Sequence, residues 1–216
     1  MFDLTLAFDN GPEPAVTPAV LDLLEERRLR TTFFVMGSKL AAPGGRDLAE
    51  RAHAAGHWIG NHTWSHGAPL GEREASAAAD EIGRPQALLG DLAHPDRLFR
   101  PNAGGRLDRR LLSPEALAYL CDGGYTCVLW NAVPRDWEDP DGWVERALDQ
   151  CEAQAWSALV LHDLPTGAMR HLPRFLDEVE RRGGRIRQDF PPDCVPIVRG
   201  VVVGEIERYV TRRAPA

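Results

Sequence analysis

Five groups of polar residues in this chain each follow a short apolar run, and their types suit metal-assisted acid–base chemistry. Aspartate and histidine can transfer protons, paired imidazoles can bind a metal ion, and arginine can hold a carboxylate in place. The residues are Asp9, Asn10, His62, His66, Arg100, Asp136, Trp137, His162 and Asp163. Because the carboxyl ends of parallel strands meet at one rim of a barrel, we expect these groups to converge there.

The segment His62-Thr63-Trp64-Ser65-His66 contains two histidines four residues apart. If it makes a helical turn, the two imidazoles share a face and can bind one metal ion. Taken alone, this spacing more often marks two loop histidines without a ligand. His162 alone is equally compatible with a core histidine, and Arg100 with a surface arginine. The prediction therefore depends on the position that all five groups share.

Short apolar runs alternate with amphipathic segments along the chain, which is the pattern of β/α units. Most runs are apolar almost without interruption, as expected of strands buried on both faces of a parallel sheet. The runs are residues 4–8, 32–35, 58–60, 98–99, 127–130, 158–161 and 185–187. They predict a barrel or a doubly wound sheet, formed as a single domain over residues 1–216.

Helix boundaries between these runs are marked by typical residues. Thr17-Pro18 and Ser113-Pro114 each place a capping hydroxyl before a proline at the first helical position. Gly183-Gly184 is a predicted C-cap. Further helices are predicted over residues 143–151, 172–182 and 205–213, with an irregular closing segment over 191–203.

The composition is that of a globular protein, with 44% hydrophobic and 26% charged residues in a chain of 216. A formal net charge of −7 argues against a nucleic-acid partner bound through a broad basic surface. The apolar runs fall far short of the roughly 20 residues that cross a bilayer, so no membrane partner is expected. Without a signal-peptide pattern or a CxxC pair, the sequence predicts a cytoplasmic protein with reduced thiols.

In this order the polar groups resemble the motifs of the polysaccharide deacetylase family, the NodB homology domain of carbohydrate esterase family 4. The matching segments are Ala7–Pro12, His62–His66, Arg100–Ala103, Val133–Trp137 and Val160–His162. The resemblance covers roughly residues 4–163. It implies the family's distorted, seven-stranded (β/α) barrel and a hydrolase that removes N- or O-linked acetyl groups from a carbohydrate.

The resemblance also implies roles for individual residues. The implied metal ligands are His62, His66 and Asn10, the catalytic residues Asp9, Arg100, Asp136 and His162, and the substrate-binding residues Asn102, Ala103 and Trp137. Asp9 would take a proton from water and His162 would give one to the leaving group, oriented by Arg100 and Asp136 respectively. The expected cofactor is a divalent metal ion, with zinc as the first choice.

Asn10 departs from the family pattern, which has aspartate at this metal ligand. An amide oxygen carries no net charge and is a poor zinc ligand beside two imidazoles. Three explanations stay open: weak metal binding, metal-independent chemistry, or an engineered Asp→Asn change. A natural substitution is favoured, because Asn102-Ala103 replaces the family's Pro-Tyr and Val133 replaces the first aspartate of the fourth motif.

Three functions are compatible with this combination of residues. The leading hypothesis is deacetylation of a carbohydrate, because all four acid–base residues are present. The second is hydrolysis of a cyclic amide, of the allantoin or imide type, with little or no metal dependence. The third is a non-catalytic carbohydrate-binding relative. The sequence specifies neither the substrate, whether a small molecule or a glycan, nor the oligomeric state.

Overall fold

Parallel strands curl into a distorted (β/α)7 barrel in the computed structural model, which describes residues 1–212. The barrel strands are β1 (Phe2–Asp9), β2 (Thr32–Val35), β3 (Trp58–Asn61), β4 (Leu98–Phe99), β5 (Thr126–Cys127), β6 (Trp156–His162) and β7 (Gly184–Arg187). The helices are α1 (Thr17–Glu26), α2 (Gly37–Leu40), α3 (Gly45–Ala54), α4 (Arg84–Leu89), α5 (Pro114–Asp122), α6 (Trp143–Glu152) and α7 (Leu172–Arg181). The alternation of strands and helices along the chain is the one predicted.

Strand β1 pairs with three other strands of the sheet, whose order is β6-β1-β2-β3-β4-β5 with β7 paired to β1. It pairs with β6 along nearly its whole length, with β2 at its carboxyl end and with β7 at its amino end. Past β5 the barrel closes where Ala132 and Leu159 form a parallel bridge. An antiparallel hairpin of β8 (Ile197–Val198) and β9 (Val201–Val202) extends the sheet beyond β5.

The alternation of side chains along β1 and β6 decides which residues face the barrel interior. Phe8 and Leu161 are fully buried in the cluster that these strands form with α1, α6 and α7. Asp9 and His162, the next residue on each strand, therefore project to the opposite side. The same register pairs Asp9 with His162 across the two strands. The two predicted proton-transfer residues are thus neighbours at the end of the sheet.

Of the two predicted N-caps, one is confirmed and the other is wrong. The Ser113 side chain accepts a hydrogen bond from the Ala116 backbone N–H, 3.1 Å away, at the start of α5. Helix α1 instead begins at Thr17 itself and has no side-chain cap. The Thr17 hydroxyl is engaged elsewhere, because it donates to Asp163 and accepts from the Glu13 N–H.

The predicted helix over residues 205–213 is also wrong. Residues 205–212 contain one 3-10 turn, Ile206–Tyr209, and Arg213 lies outside the described part of the chain. Residues after this turn pair with Leu112 in a strand-like manner, and these backbone hydrogen bonds replace those of a helix. The predicted irregular segment 191–203 contains the β8–β9 hairpin. No helix within residues 1–212 is long and apolar enough to span a membrane.

Candidate active site

A cavity of about 190 Å³ opens at the carboxyl ends of the barrel strands. Seven of the ten predicted site residues line it: Asp9, Asn10, His62, His66, Ala103, Trp137 and His162. Arg100 and Asp136 lie behind this lining, each fully buried and bonded to one of its members. Asn102 does not line the cavity. The expected convergence at one rim is therefore observed.

Asp9 is held by a buried arginine. The Arg100 Nη1 donates to Asp9 Oδ1 at 2.8 Å, and both side chains are almost completely excluded from solvent. The remaining guanidinium nitrogens donate to the carbonyl oxygens of Val128 and Leu129, at 3.2 Å and 3.4 Å. The guanidinium carbon also lies 4.0 Å from the centre of the Phe34 ring. These contacts fix the arginine and leave the second oxygen of Asp9 available to the cavity.

His162 and Asp136 form a second buried pair. Asp136 Oδ1 lies 2.8 Å from His162 Nδ1, and its other oxygen accepts the His162 backbone N–H at 2.9 Å. Burial alone would lower the pKa of His162, but the hydrogen bond and charge of Asp136, with the charge of Asp9, raise it overall. The Trp137 ring stands edge-on to the imidazole, with ring centres 4.7 Å apart. His162 Nε2 is therefore the nitrogen that can donate a proton in the cavity.

His62 and His66 face each other with ring centres 4.9 Å apart. His62 Nδ1 lies 2.8 Å from the Arg100 carbonyl oxygen, to which it can only donate, so its Nε2 carries the lone pair. This Nε2 is 3.6 Å from Asp9 Oδ2, which is also an acceptor. Burial lowers the pKa of both imidazoles, that of His62 to about 3. Both rings are consequently in the neutral form that binds metal ions.

The segment that carries the histidine pair is a loop and not a helical turn. Thr63 and His66 both adopt left-handed backbone conformations, with φ of 64° and 50°. The loop is nevertheless well supported, because Asn61 Oδ1 accepts the Thr63 N–H at 3.0 Å. The Asn102 amide donates to the Gly67 carbonyl at 2.6 Å on the other side of the pair. Asn102 thus contacts the loop that carries the histidine pair, and its predicted role in substrate binding stays a prediction.

Glu81 supports the same loop and was missed by the sequence analysis. Its buried carboxylate accepts the backbone N–H groups of Trp64 and Ser65 at 3.1 Å and 3.0 Å, and the Ser65 hydroxyl at 2.7 Å. Arg73 pairs with it from the solvent side. Glu81 lies in a π-helical turn, Ala79–Gly83, next to the fully buried Ile82. The sequence signal that could have identified Glu81 is a carboxylate on an otherwise apolar face of a helical segment.

Asn10 has the left-handed φ of 70°, and its Oδ1 is buried without a hydrogen-bond partner. It lines the same cavity as His62 and His66. Within residues 1–212, no three His, Cys, Asp or Glu side chains are grouped as a metal site. The available donors are therefore two neutral imidazoles and one amide oxygen. They fit a divalent cation by donor type, and the unpartnered oxygen supports that fit, but the set contains no carboxylate to balance the charge.

Asp163 joins the end of β6 to the loop that contains Asn10. It is fully buried, its Oδ2 accepts from the Thr17 hydroxyl, and its Oδ1 has no partner. Gly11 has no room for a side chain, since a Cβ there would overlap the Asp163 carboxylate. Burial raises the pKa of Asp163 to about 7. The sequence placed this residue at the rim but gave it no role.

Several known proteins resemble this chain in sequence. The family model described as "Polysaccharide deacetylase" matches residues 3–121. Chitooligosaccharide deacetylase from Sinorhizobium fredii is 34% identical over 163 residues, which are 73% of this chain and 70% of that protein. Peptidoglycan-N-acetylglucosamine deacetylase from Bacillus cereus is 29% identical over 194 residues, 84% of each chain.

The fold is also that of a solved structure. The family 4 carbohydrate esterase from Streptomyces lividans, in complex with acetate, superposes with a TM-score of 0.74 at 23% identity. The superposition covers 92% of this chain and 98% of that one. The range matched by the family model includes Asp9, both cavity histidines and Arg100, whereas Asp136 and His162 lie beyond it.

Proposed function

Because the chain belongs to the polysaccharide deacetylase family, we propose that it removes N- or O-linked acyl groups from a carbohydrate by general acid–base hydrolysis. The observation that carries the proposal is the pair of buried, oriented acid–base residues on one cavity. Asp9 is bonded to Arg100 and His162 to Asp136. Neither arrangement is needed for a binding site alone, and both are what proton transfer requires.

Asp9 acts as the general base. Its Oδ1 accepts from Arg100, so its Oδ2 is the oxygen that takes a proton from the attacking water. Because the guanidinium is also bonded to two backbone carbonyls, the carboxylate cannot rotate without breaking a buried ion pair. The orientation of the base is therefore set before the substrate binds.

His162 acts as the general acid. Its raised pKa favours the protonated ring, and Asp136 at Nδ1 leaves Nε2 to donate to the leaving nitrogen or oxygen. Water adds to the acyl carbon, the bond to the sugar nitrogen or oxygen breaks, and the products are a carboxylate and a free amine or hydroxyl. The Trp137 ring limits the movement of the imidazole.

His62, His66 and Asn10 Oδ1 would hold a divalent cation, with zinc as the expected ion. When bound, such a cation supplies Lewis-acid polarisation of the scissile carbonyl and lowers the pKa of water. The His62 Nδ1 hydrogen bond to the Arg100 carbonyl orients the ring and fixes its tautomer. Arg100 therefore positions both the base and a metal ligand. A backbone N–H near Ala103, a residue that also lines the cavity, would donate to the oxyanion.

The test is release of acetate from N-acetylglucosamine oligomers and from acetylated xylan, with zinc added. We expect turnover by the natural sequence and its loss in Asp9→Asn and in His162→Ala. His171→Ala is the matched control, because His171 also pairs with an aspartate, Asp141, but on the surface. Equal activity in all variants would refute the assignment of base and acid.

A further inference from the structure

The hairpin of β8 and β9 exposes a cluster of valines. Within residues 1–212, five large hydrophobic residues are exposed, and four of them lie on this hairpin: Val198, Val201, Val202 and Val203. The fifth is Met1, at the chain terminus. Single exposed apolar residues are common on protein surfaces, but a contiguous group marks an interaction surface.

Strand β9 is also an open edge of the sheet. Among the described strands it pairs only with β8. The Val203 N–H donates to the Pro196 carbonyl at 2.9 Å, so these two residues form a hydrogen-bonded pair. Because bonded and non-bonded pairs alternate in an antiparallel ladder, the next pair, Ile197 and Val202, is of the non-bonded type. The N–H and C=O of Val202 therefore point away from β8, toward the open edge.

This edge lacks the features that keep sheet edges from pairing. Charged residues or prolines in an edge strand ordinarily block the approach of another strand. Residues 201–203 are three valines, a residue type that favours strand pairing. Residues 201–205 are all exposed, so no described part of the chain covers the edge. The edge is open to a strand from another molecule.

The sequence around β9 is complementary to itself. Residues 199–205 read Arg-Gly-Val-Val-Val-Gly-Glu, with Val202 at the centre. If two such segments pair antiparallel about Val202, valine meets valine, glycine meets glycine, and the end that carries Arg199 meets the end that carries Glu205. A parallel pairing would bring like charges together, which destabilises a sheet. Self-complementarity of this kind favours a second copy of the chain over an unrelated strand.

The two charged residues are accessible to a partner. The side chains of Arg199 and Glu205 are 71% and 83% exposed. The Arg199 Nε binds Asp96 at 2.6 Å, which leaves its two Nη atoms for a second carboxylate. The hairpin itself is fixed, because the Arg199 backbone N–H donates to the Thr126 hydroxyl at 3.0 Å. A fixed edge needs little further ordering when it binds.

We propose that β9 pairs antiparallel with β9 of a second copy of this chain, which forms a two-fold symmetric dimer through a continuous sheet. The Val202 N–H of each copy donates to the Val202 carbonyl of the other at the symmetry axis. Because one short strand from each copy forms the contact, the interface is smaller than the roughly 1,200 Å² of stable complexes, and the dimer forms reversibly. The proposal is independent of the proposed function, since none of these residues lines the catalytic cavity.

Sedimentation velocity of the full chain across the micromolar range measures association, and amide hydrogen exchange by NMR locates it. We expect a concentration-dependent dimer, with slower exchange of the Val202 N–H as the dimer forms. Val203→Lys places a charge at the junction and should weaken association by about tenfold or more. Val198→Lys is the matched control, because Val198 is an exposed valine of the same hairpin on the inner strand.

Two charge reversals test the register of the pairing. Arg199→Glu and Glu205→Arg each bring like charges together twice in a symmetric dimer, so each variant alone should associate about tenfold more weakly. In an equimolar mixture of the two variants, every contact between positions 199 and 205 again joins opposite charges. Association of the mixture should therefore return to that of the natural sequence. Circular dichroism checks that each variant is folded.

A dimer that Val203→Lys weakens, Val198→Lys retains and the mixture of charge variants restores supports the proposal. A chain that is monomeric at every concentration overturns it, as does a dimer that forms without protection of the Val202 N–H. A mixture that associates no better than the single variants overturns the antiparallel register. If Val203→Lys does not fold, the charge variants and the exchange measurement still decide the outcome.

Discussion

The two halves of the candidate site differ in how completely their polar groups are paired. In the acid–base half, the carboxylates of Asp9 and Asp136 each have a buried partner at 2.8 Å. The imidazole half consists of His62, His66 and Asn10. In it, Asn10 Oδ1 has no hydrogen-bond partner, and the His62 Nε2 lone pair faces a carboxylate oxygen of Asp9 at 3.6 Å. Both cavity imidazoles in this half have lowered pKa values, because they are buried.

This difference shows which part of the chemistry the chain prepares by itself. Ion pairs and hydrogen bonds within the fold orient the acid and the base. The imidazole half presents only acceptors and neutral rings, an arrangement that a bound cation would stabilise. Arg100 connects the halves, since its guanidinium binds Asp9 and its carbonyl accepts from His62. Variants that act on one half at a time can therefore test the comparison.

The largest effect is expected from Arg100→Met. This change leaves the Asp9 carboxylate buried without its cation, and it should reduce the free energy of unfolding by about 3–5 kcal/mol. Denaturant unfolding measures the loss. Arg185→Met is the control, because Arg185 pairs with Asp3 at the surface, where such a pair contributes up to about 1 kcal/mol. Equal losses in the two variants would mean that burial of the Arg100 pair has no energetic consequence.

Asp136→Asn is expected to reduce kcat by about a hundredfold or more, because it removes the charge that orients His162 and keeps it protonated. The pKa of His162 should fall, so the alkaline limb of the kcat profile should move to lower pH. Measurement of kcat from pH 5 to 10 tests both effects, with Asp141→Asn as the surface control. An unmoved alkaline limb would exclude His162 as the acid that Asp136 supports.

Asp163 provides a stability test at the junction of the two halves. Burial raises its pKa from 3.8 to about 7, so its contribution to stability is complete below about pH 4 and is lost as pH rises through 7. Asp163→Asn has no such titration. The unfolding free energy of the variant, relative to the natural sequence, should increase by roughly 1–3 kcal/mol between pH 4 and 8. A constant difference across that range would show that Asp163 does not titrate on folding.

Asn10→Asp tests the imidazole half with the smallest structural change of the four variants. A carboxylate in place of the amide adds the negative charge that the imidazole half lacks. We expect zinc affinity, measured by calorimetry on chelator-treated protein, to increase by about tenfold or more. Asn131→Asp is a control, since Asn131 is exposed and bonds to the backbone of β6 outside the cavity lining. An equal or lower affinity in Asn10→Asp would remove Asn10 from the ligand set.

Most of the site could be predicted because the sequence pattern indicates where the strands end and which side chains alternate along them. Asp9 and His162 each end an apolar strand, and the twofold alternation of a strand turns both inward. The supports of the site were harder to predict. Glu81 binds backbone N–H groups 16 and 17 residues earlier, and nothing local specifies that contact.

Two local sequence patterns differ from the structure for a physical reason, and one of them, the Thr17 cap, was a wrong prediction. Thr17 has the residue type of a helix cap, but its hydroxyl bonds to Asp163, which is 146 positions away. The HxxxH spacing would place both imidazoles on one face of a helical turn, whereas left-handed residues and the Glu81 carboxylate shape a loop that still brings the imidazoles together. In both cases a tertiary contact outweighs the local preference.

The most direct test of the difference between the halves is the rate of acyl release by metal-depleted protein as zinc is added. Hydrolysis of an N-acylated glucosamine oligomer is followed in the natural sequence and in His66→Ala. We predict no release without zinc, a saturable increase with zinc in the natural sequence, and no increase in His66→Ala. Full turnover in the presence of a chelator, unchanged by zinc, would contradict the dependence of the imidazole half on a cation.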